Sequence, residues 1–150
     1  MASREVVVTS SSGPFAQRIE AGPHVFPSDE PVASGGSETG PNPYDLLLAA
    51  LGSCTSMTLE LYARQKGWPL ERARVQLSHS REHAQDCAEC DGGTRRLERI
   101  ERRIELTGPL DAAQRSRLLA IAERCPVHQT LTAHIEIHTT LAAEGGASKQ

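Results

Sequence analysis

One segment of the chain, residues 44–65, constrains the fold more than any other. Apolar side chains recur there at the spacing of an α-helix, and further apolar side chains cover much of the remaining helix surface. One face carries Leu47, Ala50, Leu51, Cys54, Thr58 and Leu61, and around it lie Leu46, Leu48, Ala49, Met57 and Leu59. Pro43 predicts the first turn of this helix, and Gly67 predicts its end. Because a helix that is apolar nearly all round is buried on several sides, we expect a sheet or a second copy of the chain to cover it.

The rest of the sequence predicts strands on both sides of this helix and a second helix after it. Strand patterns occupy residues 5–9, 15–20, 24–27, 73–79, 94–108 and 135–141, a Gly- and Pro-rich loop occupies 34–43, and a helix at 112–124, capped by Asp111, precedes a short turn at 129–133. This order predicts an α+β fold with an antiparallel sheet, a long buried central helix and a second helix. The length of 150 residues fits a single domain, 1–150, with a small polar tail at about 142–150 that we expect to be disordered.

The composition argues against two classes of partner. The net charge is −3 and only five residues are aromatic, so the chain offers neither a basic surface nor a stacking platform, and we expect no nucleic acid to bind. The longest nearly apolar run, residues 46–52, is far shorter than the ~20 residues of a membrane helix. The N-terminus has no apolar signal-peptide core, so we expect a cytoplasmic protein with no membrane partner.

The main candidates for reactive or metal-binding groups are four cysteines, at positions 54, 87, 90 and 125. In a reducing cytoplasm they are not expected to form structural disulfides, which leaves buried thiols, metal ligands or redox groups. Cys54 lies in the middle of the long helix between small residues, which leave room for a reactant to approach the sulfur. Cys125 lies at the end of the second helix. Composition and spacing alone favour small buried hydrophobic groups for both, with redox chemistry as the alternative.

Two motifs that contain Cys54 and Cys125 occur together in one protein family. The first is the run GPNPYDLLLAALGSC at residues 40–54, and the second is CPVH at residues 125–128. In this order they resemble the OsmC/Ohr family of osmotically inducible and organic hydroperoxide resistance proteins. The resemblance extends over nearly the whole chain, from the Gly-rich loop to the final predicted strand.

The resemblance implies an intertwined homodimer in which two long helices pack at the centre and each active site contains residues of both subunits. It also implies a thiol-dependent peroxidase that reduces organic hydroperoxides, with Cys54 as the peroxidatic cysteine and Cys125 as the resolving cysteine. Cys54 would become a sulfenic acid and condense with Cys125 to a disulfide, which an external dithiol, of lipoyl or thioredoxin type, would reduce. No metal, haem or flavin cofactor is required by this chemistry.

The sequence departs from the peroxidase pattern in the residues that activate the thiol. The peroxidase branches use an arginine held by a glutamate directly after the Asn-Pro pair, whereas this chain has Tyr44 followed by Asp45. Asp45 is the nearest carboxylate that could replace the glutamate, and Arg18 is the candidate arginine because no other lies between the first strand and the helix. Three further candidates are Glu30, which could orient the arginine, His24, and His128, which could donate to the resolving thiol. A surface arginine and structural histidines are the alternatives.

The second pair of cysteines belongs to a separate motif, His79-x3-His83-x3-Cys87-x2-Cys90. Four soft ligands at short spacing could hold zinc. Neighbouring Asp and Glu residues would raise the pKa of these thiols, which disfavours both reactivity and metal binding. Three interpretations stay open: a zinc site, a surface dithiol that exchanges with the Cys54–Cys125 disulfide, and an inert hairpin.

Two other classes of function compete with the peroxidase. A small-molecule-binding or redox-regulatory protein of the same family would lack peroxidase activity, and an apolar ligand would occupy the cavity between subunits. A zinc-binding structural protein would depend on Cys87 and Cys90. Replacement of Cys54 would abolish peroxidase activity but would spare the binding of an apolar ligand. A chelator would destabilise a zinc-binding structural protein.

Overall fold

A computed structural model of the chain describes residues 4–83 and 96–143. The elements are β1 (Val6–Ser10), β2 (Gln17–Ala21), β3 (His24–Ser28), a single 3-10 turn (Val32–Ser34), α1 (Pro43–Lys66), β4 (Arg72–His83), β5 (Arg96–Thr107), α2 (Ala112–Ala122) and α3 (Pro126–Thr132). The predicted α+β class with antiparallel pairing is confirmed. The described strands form two sheets rather than one, with the orders β1-β2-β3 and β4-β5. Most of the tail that was expected to be disordered lies outside the described residues.

The long helix α1 begins and ends where the sequence predicts. Asn42 and Asp45 form a capping box, in which each side chain accepts a hydrogen bond from the other's backbone N–H at 3.0 Å. Gly67 ends the helix with φ at 65°, a conformation that glycine adopts without the strain of a side chain.

Within one chain, α1 buries one stripe of its surface, and its other faces stay exposed. The stripe consists of Leu51, Gly52, Thr55, Leu59 and Ala63. Met57, on another face, is 67% exposed. Burial requires a partner element on each face, and in the described part of the chain α1 packs mainly on β4, α2 and α3.

The hydrophobic core lies between the C-terminal half of α1, helix α2 and the β4–β5 hairpin. Its buried members are Leu59, Ala63, Leu110, Leu118, Ile121 and Ala122. Helix α1 is also long and apolar enough to cross a membrane by length and composition. Polar contacts join it to the hairpin, however, including a bond from the half-buried Ser56 Oγ to the carbonyl of Ala73. Such contacts are typical of a core helix packed on a sheet.

The N-terminal sheet β1–β3 stands largely apart from this core. Its strands pair with one another in two successive hairpins and make little contact with the rest of the chain. Ile19 is buried, but Val6, Val7 and Val8 of β1 are all exposed. A three-stranded sheet with so little buried apolar surface gains little stability from its own packing.

The loop between β3 and α1 is organised by one buried carboxylate, Asp29. Its oxygens accept hydrogen bonds from the Thr39 hydroxyl at 2.8 Å and from the backbone N–H groups of Glu30, Ser37 and Thr39 at 2.8–3.2 Å. These donors, led by the Thr39 hydroxyl, hold the pKa of Asp29 below its ordinary value although burial opposes the shift. The Gly-rich loop that precedes α1 is therefore an ordered segment.

Two predictions near the C-terminus are wrong. The short turn predicted at 129–133 is part of a longer helix, α3, because Pro126 occupies the first helical turn, where a missing N–H is tolerated. The strand predicted at 135–141 is not a strand, and Ile137 there is 85% exposed. An alternating sequence forms a strand only beside a partner strand, and no strand in the described part of the chain pairs with this segment.

Candidate functional site

The fold brings the two cysteines of the predicted redox pair together. Cys54 lies on α1, and Cys125 lies between α2 and α3, where it occupies the N-cap position of α3. Each thiol acts on the pKa of the other, so the two sulfurs are neighbours in the fold, and both are free. Cys125 is completely buried and Cys54 is half-buried, so a reactant reaches the pair from the side of Cys54.

The surroundings shift the two thiols in opposite directions. Burial raises the pKa of Cys54, and the neighbouring Cys125 thiol raises it further, while the Val127 N–H and the Thr58 hydroxyl offset only part of this shift. Burial would also raise the pKa of Cys125, but donors outweigh it: the Cys54 thiol, the N–H groups of His128 and Val127, and the Thr55 hydroxyl. The pKa of Cys125 is therefore lowered, and the negative charge of the reduced pair rests first on Cys125.

A nearly buried arginine contacts Thr55, the residue that follows Cys54 on α1. The Arg102 side chain, on β5, is only 10% exposed. Its Nη1 atom donates to Thr55 Oγ1 at 2.9 Å and to the carbonyl of Ala122 at 3.3 Å, and Nη2 contacts Glu123 Oε1 at 3.0 Å. Glu123 also pairs with His128 Nε2 at 3.1 Å. One guanidinium thus joins α1, the end of α2 and, through Glu123, α3.

Cys54 opens onto a shallow groove of about 440 Å³ between α1 and the start of α3. The groove is lined by Ala50, Ser53, Cys54, Met57, Thr58, Leu61, Pro126 and Val127. None of these lining residues is charged, and most are apolar. The groove is suited to an apolar reactant rather than a charged one.

The charged candidates on the N-terminal sheet lie away from this groove within one chain. Arg18 is exposed on β2 and pairs with Glu20 on the same strand rather than with Glu30. Glu30 follows Asp29 in the ordered loop, where its carbonyl accepts the N–H of Glu38. His24 is exposed at the start of β3. The structure does not bring Arg18, Glu30 or His24 to Cys54 in the described chain.

Asp45 lies on α1 and His128 lies on α3, the two helices that line the groove, but their side chains make other contacts. The Asp45 carboxylate is used in the capping box at the start of α1. The His128 side chain pairs with Glu123 and faces a second cavity of about 390 Å³ beneath α3 rather than the Cys54 groove. It is the backbone N–H of His128, not the imidazole, that acts on Cys125.

The structure describes only part of the predicted set of zinc ligands. Cys87 and Cys90 lie outside the described residues, as does the His83 side chain. His79 lies on β4, where its Nε2 atom is 2.6 Å from Glu98 Oε2 and its ring stacks on Tyr44 with centroids 4.5 Å apart. Among the described residues no group of three or more His, Cys, Asp or Glu side chains could hold a metal ion.

Sequence reasoning did not identify Thr55 and Arg102 as parts of the site. Arg102 follows Ile100 and precedes Ile104 at every second position of β5, so it occupies the inward phase of the strand. A charged residue at an inward position of a strand is seldom buried without a partner. This pattern could have identified Arg102 as a residue with a buried polar contact. The partner itself, Thr55, could not be inferred because 47 residues separate the two in sequence.

Comparison with known proteins gives one family. Residues 35–140, which include both Cys54 and Cys125, match the family model described as OsmC-like protein. No curated protein matches the chain. The matched range covers more than half of the sequence and includes α1, the β4–β5 hairpin and both later helices.

Several solved structures share the fold at low sequence identity. An organic hydroperoxide resistance protein OsmC from Legionella pneumophila, also described as a predicted redox protein and regulator of sulfide bond formation, has a TM-score of 0.65 at 16% identity over 88% of this chain and 90% of that chain. An organic hydroperoxide resistance protein from Elizabethkingia anophelis has a TM-score of 0.66 at 15% identity over 91% and 92%. An OsmC like protein from Mycoplasma pneumoniae has a TM-score of 0.64 at 18% identity over 86% of each chain.

Proposed function

The chain belongs to the OsmC-like family, and on this basis we propose that it reduces organic hydroperoxides through the Cys54–Cys125 thiol pair. The observation that carries the proposal is the placement of the two thiols. They are neighbours that act on each other's pKa, Cys54 opens onto an apolar groove, and Cys125 is buried. Two solved structures of the same fold, from Legionella pneumophila and Elizabethkingia anophelis, are described as organic hydroperoxide resistance proteins.

The proposed reaction has three balanced steps. The Cys54 sulfur attacks the terminal oxygen of the hydroperoxide, the O–O bond breaks, and an alcohol leaves while Cys54 becomes a sulfenic acid. The Cys125 sulfur then attacks the Cys54 sulfur, which forms the disulfide and releases water. A dithiol, of lipoyl or thioredoxin type, finally reduces this disulfide by exchange and is itself oxidised. These steps need no metal, haem or flavin.

The opposite pKa shifts of the two thiols support a defined role for Cys125 in the first step. Cys54 must lose its proton to attack, because the thiolate is the nucleophile. Cys125 is the ionised neighbour that can take this proton, but its lowered pKa and the raised pKa of Cys54 make the transfer uphill. Cys125 then gives this proton to the alkoxide that leaves, which restores the Cys125 thiolate as the nucleophile toward the sulfenic acid.

The groove at Cys54 supports an organic rather than an inorganic peroxide. Its lining is largely apolar and includes Met57, Leu61 and Val127. An alkyl or aryl substituent of a hydroperoxide would bury apolar surface there, at about 25 cal/mol per Å² removed from water. Hydrogen peroxide would gain nothing comparable.

We further propose that the working form is a homodimer. Exposed apolar side chains lie on β1, on the free face of α1 and on the segment after α3, and they include Val8, Met57 and Ile137. A second copy that covered these surfaces could also bring its Arg18 to the uncharged groove, which would supply the cation that the described chain does not place there. It would also offer a partner strand to residues 135–141.

The dimer predicts the mass in solution. We expect sedimentation or light scattering at micromolar concentration to give about twice the chain mass of 16.2 kDa. Burial of the exposed apolar surface in an obligate interface is the physical reason. A mass of one chain over the whole concentration range would contradict the dimer.

Oxidation of the reduced protein tests the proposed peroxidase function. We expect one equivalent of an organic hydroperoxide to convert Cys54 and Cys125 into a disulfide, detected by mass spectrometry of the digested protein. An equal amount of hydrogen peroxide is the control, and we expect it to react more slowly. If both thiols stay free with the organic hydroperoxide, the peroxidase proposal fails, and an apolar ligand in the Cys54 groove becomes the better explanation of that groove.

A further inference from the structure

We propose that Arg102 is a positioning residue of the dithiol and acts on Cys125 through the hydroxyl of Thr55. The inference deepens the proposed function, because it assigns the group that keeps negative charge on the buried sulfur. Three side chains are involved: Thr55 on α1, Arg102 on β5, and Cys125 at the junction of α2 with α3.

Thr55 is the link between the arginine and the sulfur. It is completely buried and follows Cys54 directly on α1. Its oxygen accepts the Arg102 hydrogen bond at 2.9 Å and is 2.7 Å from the carbonyl of Leu51 in the preceding turn. The Ala122 carbonyl that accepts a second Arg102 bond also accepts the Cys125 N–H at 3.3 Å, which places the guanidinium beside Cys125. The Thr55 hydroxyl lowers the pKa of Cys125.

Arg102 determines what the Thr55 hydroxyl can do. Because the guanidinium occupies an acceptor site of the oxygen, the one hydroxyl proton is left to donate, either to the Leu51 carbonyl or to the Cys125 sulfur. A bond from a charged donor also polarises the hydroxyl and strengthens its own donation. When Cys125 carries negative charge, donation to the sulfur is favoured, and when it is neutral the proton returns to the Leu51 carbonyl.

The position of Arg102 is itself fixed. Its second nitrogen contacts Glu123, and its first also donates to the Ala122 carbonyl at the end of α2. Glu123 is shared with His128 of α3. Among the described residues, the titratable and charged groups that this network brings toward Cys125 are Cys54 from α1, Arg102 from β5, Glu123 from the end of α2 and His128 from α3.

Within the proposed reaction, this arrangement affects the first and second steps in different ways. A stabilised Cys125 thiolate is already ionised before the peroxide arrives, so a base for the Cys54 proton is present, although the lowered pKa of Cys125 makes it a weaker base. The same stabilisation lowers the nucleophilicity of Cys125 toward the sulfenic acid. Arg102 therefore sets the balance between oxidation of Cys54 and closure of the disulfide.

Titration of Cys125 alone tests the proposal without any hydroperoxide. In a parent protein with Cys54, Cys87 and Cys90 changed to serine, thiolate absorbance in the ultraviolet reports only Cys125. We expect Thr55→Val and Arg102→Gln each to raise the midpoint by about one pH unit. Thr55→Ser, which keeps the hydroxyl, should titrate like the parent, and Arg102→Lys, which keeps the charge without the planar fork, should fall between.

Arg103 supplies the matched control. It is the next residue on β5, its side chain is 79% exposed, and its contact is to Glu105 at 3.9 Å. We expect Arg103→Gln to leave the midpoint unchanged. If Thr55→Val and Arg102→Gln titrate like the parent while they retain the native circular dichroism, the proposal is overturned. Should Arg102→Gln not fold, equal midpoints for Arg102→Lys and the parent overturn it in the same way.

This titration is independent of the peroxidase proposal. Disulfide formation in the wild-type protein decides whether the thiols react with hydroperoxide, whereas the midpoint of Cys125 decides whether Arg102 and Thr55 act on it. Either result can fail while the other stands.

Discussion

Cys54→Ser is expected to reduce the consumption of organic hydroperoxide by at least about 10³-fold, since it removes the nucleophile itself. A serine hydroxyl ionises far less readily than a thiol, and it cannot form a sulfenic acid. The measurement is the initial rate of loss of the hydroperoxide in the presence of excess dithiol. The buried position of Cys125 means that it cannot take over the attack when Cys54 is absent.

The contrasting variant, Cys125→Ser, separates the two steps. It keeps the nucleophile, so we expect the protein to consume about one equivalent of hydroperoxide and then to hold Cys54 as a sulfenic acid that a dimedone-type reagent labels. The first turnover should be at least as fast as in the wild type, because Cys125 raises the pKa of Cys54 and its removal increases the share of Cys54 thiolate. Cys87→Ser combined with Cys90→Ser is the control for loss of cysteine in general, and its first turnover should match the wild type. Equal loss of the first turnover in Cys54→Ser and Cys125→Ser would contradict the assigned roles.

Leu118→Ala is expected to destabilise the protein by about 2–5 kcal/mol, the cost of a cavity in a packed core. Leu118 lies on α2, is completely buried, and belongs to the cluster that joins α2 to Leu59 and Ala63 of α1. For a protein of this size the loss corresponds to a fall in Tm of about 5–15 °C. The measurement is thermal unfolding of the reduced protein followed by circular dichroism.

The neighbouring residue provides the control for this prediction. Leu119 has the same side chain and the same helix propensity, but it is 61% exposed. We expect Leu119→Ala to change the free energy of unfolding by no more than about 0.5 kcal/mol. Equal losses of stability at the two positions would contradict the placement of Leu118 in the core and Leu119 at the surface.

The parts of the fold that the sequence predicted are those fixed by local chemistry. The start of α1 follows from Pro43 in its first turn, its end follows from Gly67, and the start of α2 follows from Asp111, whose side chain accepts the N–H of Gln114. Each of these signals acts within four residues of the element it bounds. Bounds of this kind can be inferred from sequence because the relevant hydrogen bonds are local.

The parts that could not be predicted depend on partners distant in sequence. The contact of Arg102 with Thr55 requires the register of β4 with β5 and the packing of α1 on that hairpin. The segment 135–141 has the alternation of a strand, but a strand also needs a neighbour, and sequence alone does not say whether the chain provides one. The candidate pair Cys54 and Cys125 was accessible only because its motifs resemble those of a family.

The contact between the two thiols also links folding stability to reduction potential. Cys54 lies in the packed middle of α1, and Cys125 joins α2 to α3, so a bond between them would tie together elements far apart in sequence. The folded state raises the effective concentration of one sulfur toward the other, and a more rigid fold favours the bonded form more strongly. Any change that loosens the packing of α1 on α2 should therefore make this disulfide easier to reduce. Reduction of the disulfide should in turn lower the stability of the folded state.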